Sequence, residues 1–262
     1  MWARRRARAA CDVRQPWECG TVWRSSRYPD YWEMNQVVVE RPTGLSARAL
    51  ARLSDGLLAG LEHRWVTVED PDEAVRLRPG FEALGWRVVV LVWMLHSGSP
   101  PAGSPRAGEG VVGDVPVVEA VPYDAVAALR AAWHEEDFPG TDPGNFHAHV
   151  RERALAEGAR VLAVRDGSGL PVGFAEVTGG GAGAPGERGA EVHQVFVTRA
   201  QRGRGLGTAL TRAAIASALA PRRDLWIGAD DEDRPKELYS RLGFTPVWRE
   251  WQFFRVPGSS AG

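Results

Sequence analysis

Two stretches of this chain repeat one order of apolar and polar positions. "EMNQVVVERP" from Glu33 and "EVHQVFVTRA" from Glu191 each gather β-branched and apolar residues into a strand-length run, and each leads into an Ala/Leu-rich segment of helical period. They lie 158 residues apart, and the same offset aligns "FEALGW" (Phe81 to Trp86) with "YSRLGF" (Tyr239 to Phe244). Between them "RWVTVED" fits "DLWIGADD" better at an offset of 160, so a small shift is compensated inside the repeat. Each copy predicts strand, long helix, strand, short helix, strand, with Gly85 and Gly243 placed as helix C-caps. In the second copy the predicted helices are Gly205 to Ala220 and the segment ending at Gly243, and "VWREWQFFRV" is the last strand.

Upstream of the second copy, "VPVVEAV" reads as a strand, Tyr123 to Asp137 and Asn145 to Glu157 as helices, and "ARVLAVRDGSGLPVGFAEV" as a hairpin. The region ahead of the first copy is too short for that set, so the N-terminal unit reads as truncated. "SGSPPAGSPRAGEG", Ser97 to Gly110, is a linker by its Gly, Pro and Ser content. The expected organisation is therefore a disordered leader over 1–20, a partial unit over 21–96, a linker over 97–114 and a complete unit over 115–262. "TGGGAGAPGERG", Thr178 to Gly189, reads as a mobile loop between strands.

Composition narrows the function classes. A formal net charge of -1 and 25% charged residues argue against a nucleic-acid binder, which needs a net basic face. No apolar run approaches a membrane span. Cys11 and Cys19 are too few for a disulfide framework or a four-ligand zinc site, which points to a reducing cytoplasm. His147 and His149 have no third ligand spaced to join them, so no metal is expected. The near-exclusive use of arginine, with Lys236 the single lysine, reflects a GC-rich genome. Expected partners are a small-molecule or protein amine, with the chain a monomer or homodimer.

"QRGRGLG", Gln201 to Gly207, lies between a predicted strand and helix. Glycines there expose unpaired amides at the positive end of a helix dipole, which suits a phosphate or diphosphate. No Lys-Ser/Thr pair follows Gly207, so this is not a P-loop, and the glycine spacing is not that of a dinucleotide fold.

The run Arg202-Gly203-Arg204-Gly205-Leu206-Gly207 fits Gln/Arg-x-x-Gly-x-Gly/Ala, and with the later "ELYSRLGF" the region from Val115 to Val256 resembles the GNAT superfamily of acetyl-CoA-dependent N-acyltransferases. That resemblance implies an α/β fold: a GNAT-type mixed central sheet flanked by helices, preceded here by a truncated, degenerate copy of the same fold. It implies acetyl-CoA as co-substrate, with the diphosphate on main-chain amides of Arg202, Gly203, Arg204, Gly205, Leu206, Gly207 and Thr208, and the pantetheine arm along Val195, Phe196 and Val197. It also implies direct attack of an amine on the thioester. Tyr239 would then be the general acid at the sulfur, and Glu191, with His193 on the same strand face, the base.

Alternatives remain open at several of these positions. Tyr239 also suits a packing role, since Phe81 stands at its place in the first copy, and Glu191 has a counterpart in Glu33. Arg202 and Arg204 either add charge near phosphates or are solvated. Glu232, within "DDED", either favours a helix N-terminus or draws a cationic acceptor. In the first copy "PTGLSARA", Pro42 to Ala49, puts Ala47 and Ala49 where Gly205 and Gly207 stand, so that half is expected not to catalyse. Trp65, Trp86 and Trp93 are expected in the core or between halves, and the segment Trp133 to His149 is expected to shape the acceptor pocket. A CoA-binding or inactive sensor module of the same fold is the competing reading.

Overall fold

The computed structural model describes residues 11–97, 116–179, 189–218 and 224–257. The first half runs β1 (Val13–Trp17), β2 (Gly20–Arg24), a 3-10 turn at Trp32–Met34, β3 (Gln36–Val39), α1 (Ala47–Leu57), β4 (Arg64–Val68), α2 (Pro71–Ala83) and β5 (Arg87–Ser97). The second runs β6 (Val118–Val121), a turn at Tyr123–Val126, α3 (Ala127–Asp137), α4 (Phe146–Ala156), β7 (Arg160–Arg165), β8 (Pro171–Gly179) and β9 (Gly189–Val197). After a turn at Arg199–Gln201 it continues with α5 (Leu206–Ala218), β10 (Asp224–Asp230), α6 (Pro235–Arg241) and β11 (Thr245–Arg255). The expected linker (from Gly98 on) and most of the expected loop after Thr178 lie outside the described residues.

All described strands join one sheet in the order β1-β2-β3-β4-β11-β5-β10-β9-β8-β7-β6. It is a mixed α/β sheet: β3–β4 and β9–β10 are parallel and the other pairs antiparallel. The repeat is visible at its centre. β11 pairs with β4 and β5, both from the first half, while β5 pairs with β11 and β10, both from the second. Each half has thus lent its last strand to the other, and β11 has no strand neighbour from its own half.

A bulge at Val247, between the pairs Pro246↔Met94 and Trp248↔Trp93, adds one residue to β11. Because side chains alternate with period two, that residue reverses which of the later positions face each side of the sheet. Beyond it Leu91 faces Glu250 across the strand pair, and Trp93 shares its face with Glu250 and Gln252.

Helices α1, α2 and α5 cover one face. Leu50, Leu77 and Phe81 pack there on Val66, Val68 and Phe253, and Leu210, Ala214 and Ile215 pack on Val177, Val192 and Leu225. The sequence writes these helix ends plainly. Ser46 and Asp70 cap α1 and α2 by accepting from Ala49 and Glu73 amides, and Gly85 and Gly243 take positive φ after α2 and α6.

On the other face stand α3, α4 and the Trp32 turn. Among the described residues the second half supplies two helices there and the first supplies none, so the described elements cover the sheet between β3 and β5 only in part. Trp32 fills part of the space, 5.1 Å from the Phe138 ring and 5.0 Å from Phe146, and Trp65 stacks on Phe254 at 4.3 Å. Trp93 stacks on Trp248 at 5.5 Å, again joining the halves, and Trp86 packs against Phe81.

One expectation fails at the N-terminus. Val13–Trp17 lie in the stretch assigned to a disordered leader, yet they pair with β2 and Trp17 Nε1 donates to the Val38 carbonyl at 3.2 Å. Three of the five β1 residues are exposed, so no apolar alternation marks the strand; it exists because β2 offers an edge.

Candidate acyl-transfer site

The site grows from a fork in the sheet. β9 and β10 pair in parallel only from Asp224↔Gly189 to Ile227↔Val192, and then run on separately to Val197 and Asp230. The departure is built into β9. In the ladder with β8, Glu176 faces Gln194 and Val177 faces Val192, so His193 is an extra residue that bends the strand. From His193 to Val197 the main chain on the β10 side has no partner among the described strands.

At the open end of the fork lies the glycine turn. Gly203 and Gly205 sit at φ 78° and 79°, and a Cβ on either would meet no atom within 4 Å. Their need for glycine is thus conformational rather than steric. Gly207 is ordinary helix, its imagined Cβ in van der Waals range of Leu238 at 3.7 Å. The first amide to find a main-chain acceptor is that of Ala209, bonded to the Gly205 carbonyl at 3.0 Å. Among the described residues no acceptor is found for the amides from Gly203 to Thr208, which line up at the positive end of α5.

Arg202 does not face that cradle. Its Nε donates to the Val197 carbonyl at 2.9 Å and its Nη2 to Glu136 at 2.6 Å, so it ties the turn to β9 and α3. Arg204 is exposed and forms no ion pair with a described residue.

In the first half the corresponding turn is closed by its own side chains. Ser46 Oγ accepts from Ala49, Thr43 Oγ1 accepts from Leu45, and the buried Glu73 carboxylate takes the Thr43 amide at 2.9 Å. The Arg76 guanidinium beside it holds Glu73 down to about 2, with the Thr43 hydrogen bonds assisting. A fixed negative charge therefore occupies the place an anion would need.

The crotch of the fork opens into a cavity of about 190 Å³. His193 and Gly228, the first residues past the last β9–β10 pair, both line it. Its floor crosses the sheet from Gln36 and Thr67 through Gln252, Glu250, Leu91 and Trp93 to Glu176, and Arg153 and Glu157 of α4 close one side. Tyr31 and Glu33 enter from the first half, so both halves wall it.

Its electrostatics centre on His193. Nδ1 stands 3.3 Å from Glu191 Oε1 and Nε2 3.4 Å from the Tyr31 hydroxyl. Burial alone would depress the imidazole, but the Glu191, Glu176 and Glu33 carboxylates outweigh it and lift His193 to about 9. Burial pushes Glu33 up, helped by Glu191 and Glu250 and opposed by His193 and Arg153. Glu33 still presents surface, because that surface opens into the cavity. Behind Glu176 lies Arg130, 2.7 Å away and itself buried.

Tyr239 lies on the opposite face, packed with Leu206, Leu242 and Phe244 and 6% exposed. Burial raises its phenol well above the ordinary range, with Asp233 adding to the shift, so it stays protonated at neutral pH.

The acetyltransferase (GNAT) family matches over residues 125–244. An L-methionine sulfoximine/L-methionine sulfone acetyltransferase of Pseudomonas paraeruginosa is 33% identical over 135 residues, which spans 51% of this chain and 76% of that protein. This chain belongs to the GNAT acetyltransferase family. Solved structures agree on the fold across nearly the whole length. A conserved protein of unknown function from Staphylococcus epidermidis superposes with a TM-score of 0.65 at 14% identity, covering 94% of each chain. A tandem GNAT protein from the clavulanic acid biosynthesis pathway does so with a TM-score of 0.53 at 16% identity, covering 93% of this chain and 79% of that one.

Within this GNAT acetyltransferase the residues singled out from sequence fall into two groups. Gly203 to Thr208 and Val195 to Val197 line the mouth and one arm of the fork. Glu191 and His193 share the cavity as one hydrogen-bonded pair, whereas Tyr239 is not among its lining residues and sits across the sheet. Glu232 does not cap the helix that follows it: it pairs with Arg78 of α2 at 2.6 Å, bridging the halves. The segment Trp133 to His149 packs mainly on the Trp32 turn, and α4 beyond it, at Val150, Arg153, Ala154 and Glu157, supplies the cavity wall.

Sequence reasoning missed Tyr31, Arg153, Glu176 and Glu250. Their convergence depends on the exchanged strands and the β11 bulge. Glu33 carried a usable signal, since the repeat aligns it with Glu191.

Among the described residues no cluster of His, Cys, Asp and Glu could hold a metal ion, and no helix is long and apolar enough to cross a membrane.

Proposed function

We propose that this GNAT protein moves the acetyl group of acetyl-CoA onto a primary amine by direct attack, without a covalent acyl-enzyme. The observation that carries the reading is the fork itself. It has a bare-amide cradle at its mouth, an unpaired strand edge along one arm and a carboxylate-rich cavity at its crotch.

The amides from Gly203 to Thr208 bind the diphosphate through hydrogen bonds and the dipole of α5. The free edge of β9 at Val195 to Val197 offers main-chain groups to the pantetheine amides, and Phe196 and Arg202 hold that edge in place. Acetyl-CoA supplies an activated thioester. In the transfer, the amine nitrogen forms the new C–N bond, the thioester C–S bond breaks, one amine proton leaves to the Glu191 side of the cavity, and the departing sulfur takes a proton from Tyr239. Imidazolium up to about pH 9, His193 is not the base at neutral pH; it balances Glu191 and orients it. The closed turn at Thr43 to Ala49 supports a first half that walls the acceptor site and holds no second acyl carrier. Cys11 and Cys19, neither of them in a disulfide, suit a cytoplasmic setting.

Calorimetry with acetyl-CoA on wild type and Gly205→Asp tests the cradle, since a carboxylate there should abolish binding. Equal binding by both proteins would move the acyl carrier elsewhere. Release of CoA thiol in the presence of amines separates an enzyme from a sensor that binds and does not turn over. Amino acids of the kind for which the Pseudomonas relative is named belong in that panel.

A further inference from the structure

We propose that Gly228 decides which acyl group is transferred, and that the room it leaves at the crotch of the fork admits groups longer than acetyl, propionyl and butyryl among them. The proposal rests on the acyl-transfer reading above and goes beyond it, since the cradle and the free strand edge hold the carrier whatever its sulfur bears.

Glycine inside a strand needs a reason, because it brings no side chain to the packing and loses more chain entropy on folding than any other residue. Elsewhere in this sheet the reason is crowding. A Cβ on Gly20 would stand 1.9 Å from the Val38 carbonyl oxygen, and one on Gly173 3.0 Å from the Phe196 carbonyl oxygen and 3.2 Å from Leu210 of α5. Gly228 has no such neighbour. The atoms nearest its imagined Cβ are those of the Leu91 side chain, at 3.5 to 3.6 Å, which is ordinary contact. Nor does Gly228 take the positive φ that reserves Gly203 and Gly205 for glycine. Its partner across the strand pair, Trp93, leaves it uncovered: the indole stacks on Trp248 of β11, and none of its atoms is among those nearest the imagined Cβ.

What remains is the close approach of a ligand to bare main chain. Gly228 is the first residue of β10 beyond the last pair with β9, as His193 is on the other arm, and both line the cavity. A carrier with its diphosphate on the amides from Gly203 to Thr208 and its arm along Val195 to Val197 brings its thioester to this gap. The acyl group then meets the amine by entering between the two residues. His193 is held by Glu191 and Tyr31, so the width of the gap is set from the β10 side. Leu91 and Trp93, beside Gly228 on the cavity floor, offer apolar surface to an acyl chain. The cavity, about 190 Å³, holds roughly six waters at ~30 Å³ each, which is room for a short acyl chain beside an amine. Chain length leaves the chemistry unchanged: the C–N bond forms at the acyl carbon, the C–S bond breaks, the amine proton goes to the Glu191 side and the sulfur takes its proton from Tyr239.

Calorimetry on the full chain with free CoA, acetyl-CoA, propionyl-CoA and butyryl-CoA reads this seat without an acceptor. Wild type should bind the three thioesters within about threefold of one another. Gly228→Ala should hold free CoA within about twofold of wild type and weaken propionyl-CoA and butyryl-CoA by about tenfold or more, with acetyl-CoA changed least. Leu91→Ala opens the same seat from its far wall and keeps the glycine; it should favour butyryl-CoA over acetyl-CoA by about threefold or more, and that ratio decides should Gly228→Ala not fold. A wild type that discriminates about tenfold against propionyl-CoA overturns the proposal and leaves acetyl transfer standing. So does a Gly228→Ala variant that binds all four as wild type does, or one that weakens free CoA as much as the thioesters, which is what a purely structural glycine would give. A wild type that binds none of the four removes the acyl-transfer reading as well.

Discussion

The Tyr31 hydroxyl lies 3.4 Å from His193 Nε2, joining residues 162 apart in the chain and from opposite halves of the repeat. The imidazole is thereby held from both sides, since Nδ1 faces Glu191. Tyr31 does not set the charge of His193; the carboxylates do that. Its part is orientation, and Tyr31→Phe should lower kcat/KM by about fivefold, the worth of one hydrogen bond of ~1 kcal/mol, with the His193 titration unmoved by NMR.

The titration itself predicts a pH dependence of stability. His193 is raised to about 9 from an ordinary value of 6.5, so its folded form holds the proton more tightly than the unfolded chain. The stabilisation is complete below about pH 6.5 and is lost as pH rises through about 9. The melting temperature should fall across that window. In Glu191→Gln, which removes the largest upward influence, the fall should be shallower and the imidazole should titrate lower. A steeper fall in the variant would remove Glu191 as the cause.

Tyr239 offers a separate reading of the chemistry. Its ring fills the core between α6 and Phe244, which phenylalanine does equally well, as Phe81 does in the first half. Tyr239→Phe should keep the unfolding free energy within ~1 kcal/mol of wild type, bind acetyl-CoA as before, and lose about 10²-fold or more in kcat. A variant with full kcat would leave the residue only its packing role.

Much of this was legible in the sequence because it rests on local signals. The glycine turn, the helix caps at Ser46 and Asp70, and the order of strands and helices in each copy all follow from short-range pattern. The exchange of β5 and β11 did not show, because each is an ordinary apolar strand and nothing local says whose neighbour it becomes. The Val247 bulge was equally silent, yet it decides that Glu250 and Gln252 face the cavity. Glu232 misled for a related reason: acidic residues before a helix suggest a cap, and only the packing of α2 brings Arg78 within 2.6 Å.

The ion pair between Arg130 and Glu176 is buried on both sides, at 8% and 1% side-chain exposure. Arg130 also lies over the Tyr123 ring at 4.0 Å and donates to Gln194 at 3.0 Å. Removing one partner strands the other charge, so Glu176→Leu should cost on the order of 3–5 kcal/mol in denaturant unfolding. Adding Arg130→Met to it should recover most of that loss, because the pair's own attraction does little more than offset its desolvation. A double variant no more stable than the single would mean that the arginine's ring and amide contacts dominate.

The exchanged strands make the strongest claim about the halves. The residues that match the family lie almost wholly in the second half, so a truncated chain from Val115 to Gly262 would be the natural minimal enzyme. In the fold, however, β11 is hydrogen-bonded to β4 and β5 and pairs with no described strand of that half, although its Trp248 ring packs on Trp226 of β10. Cutting away the first half removes β4 and β5, which hold β11 on both sides, and leaves β10 with only its four-residue pairing to β9. The ring of Phe254 would lose Trp65, and Trp248 would lose Trp93. An exposed strand row of this kind invites association with other copies. The truncated chain should therefore be aggregated or lack a cooperative melt, by size-exclusion chromatography and circular dichroism, and should release no CoA thiol. Adding back residues 1–97 as a separate chain should restore both, since the exchange needs no covalent link between the halves. A truncated chain that is monomeric, cooperative and active would show that β11 can fold back onto its own half, and the shared sheet would no longer be needed to build the site.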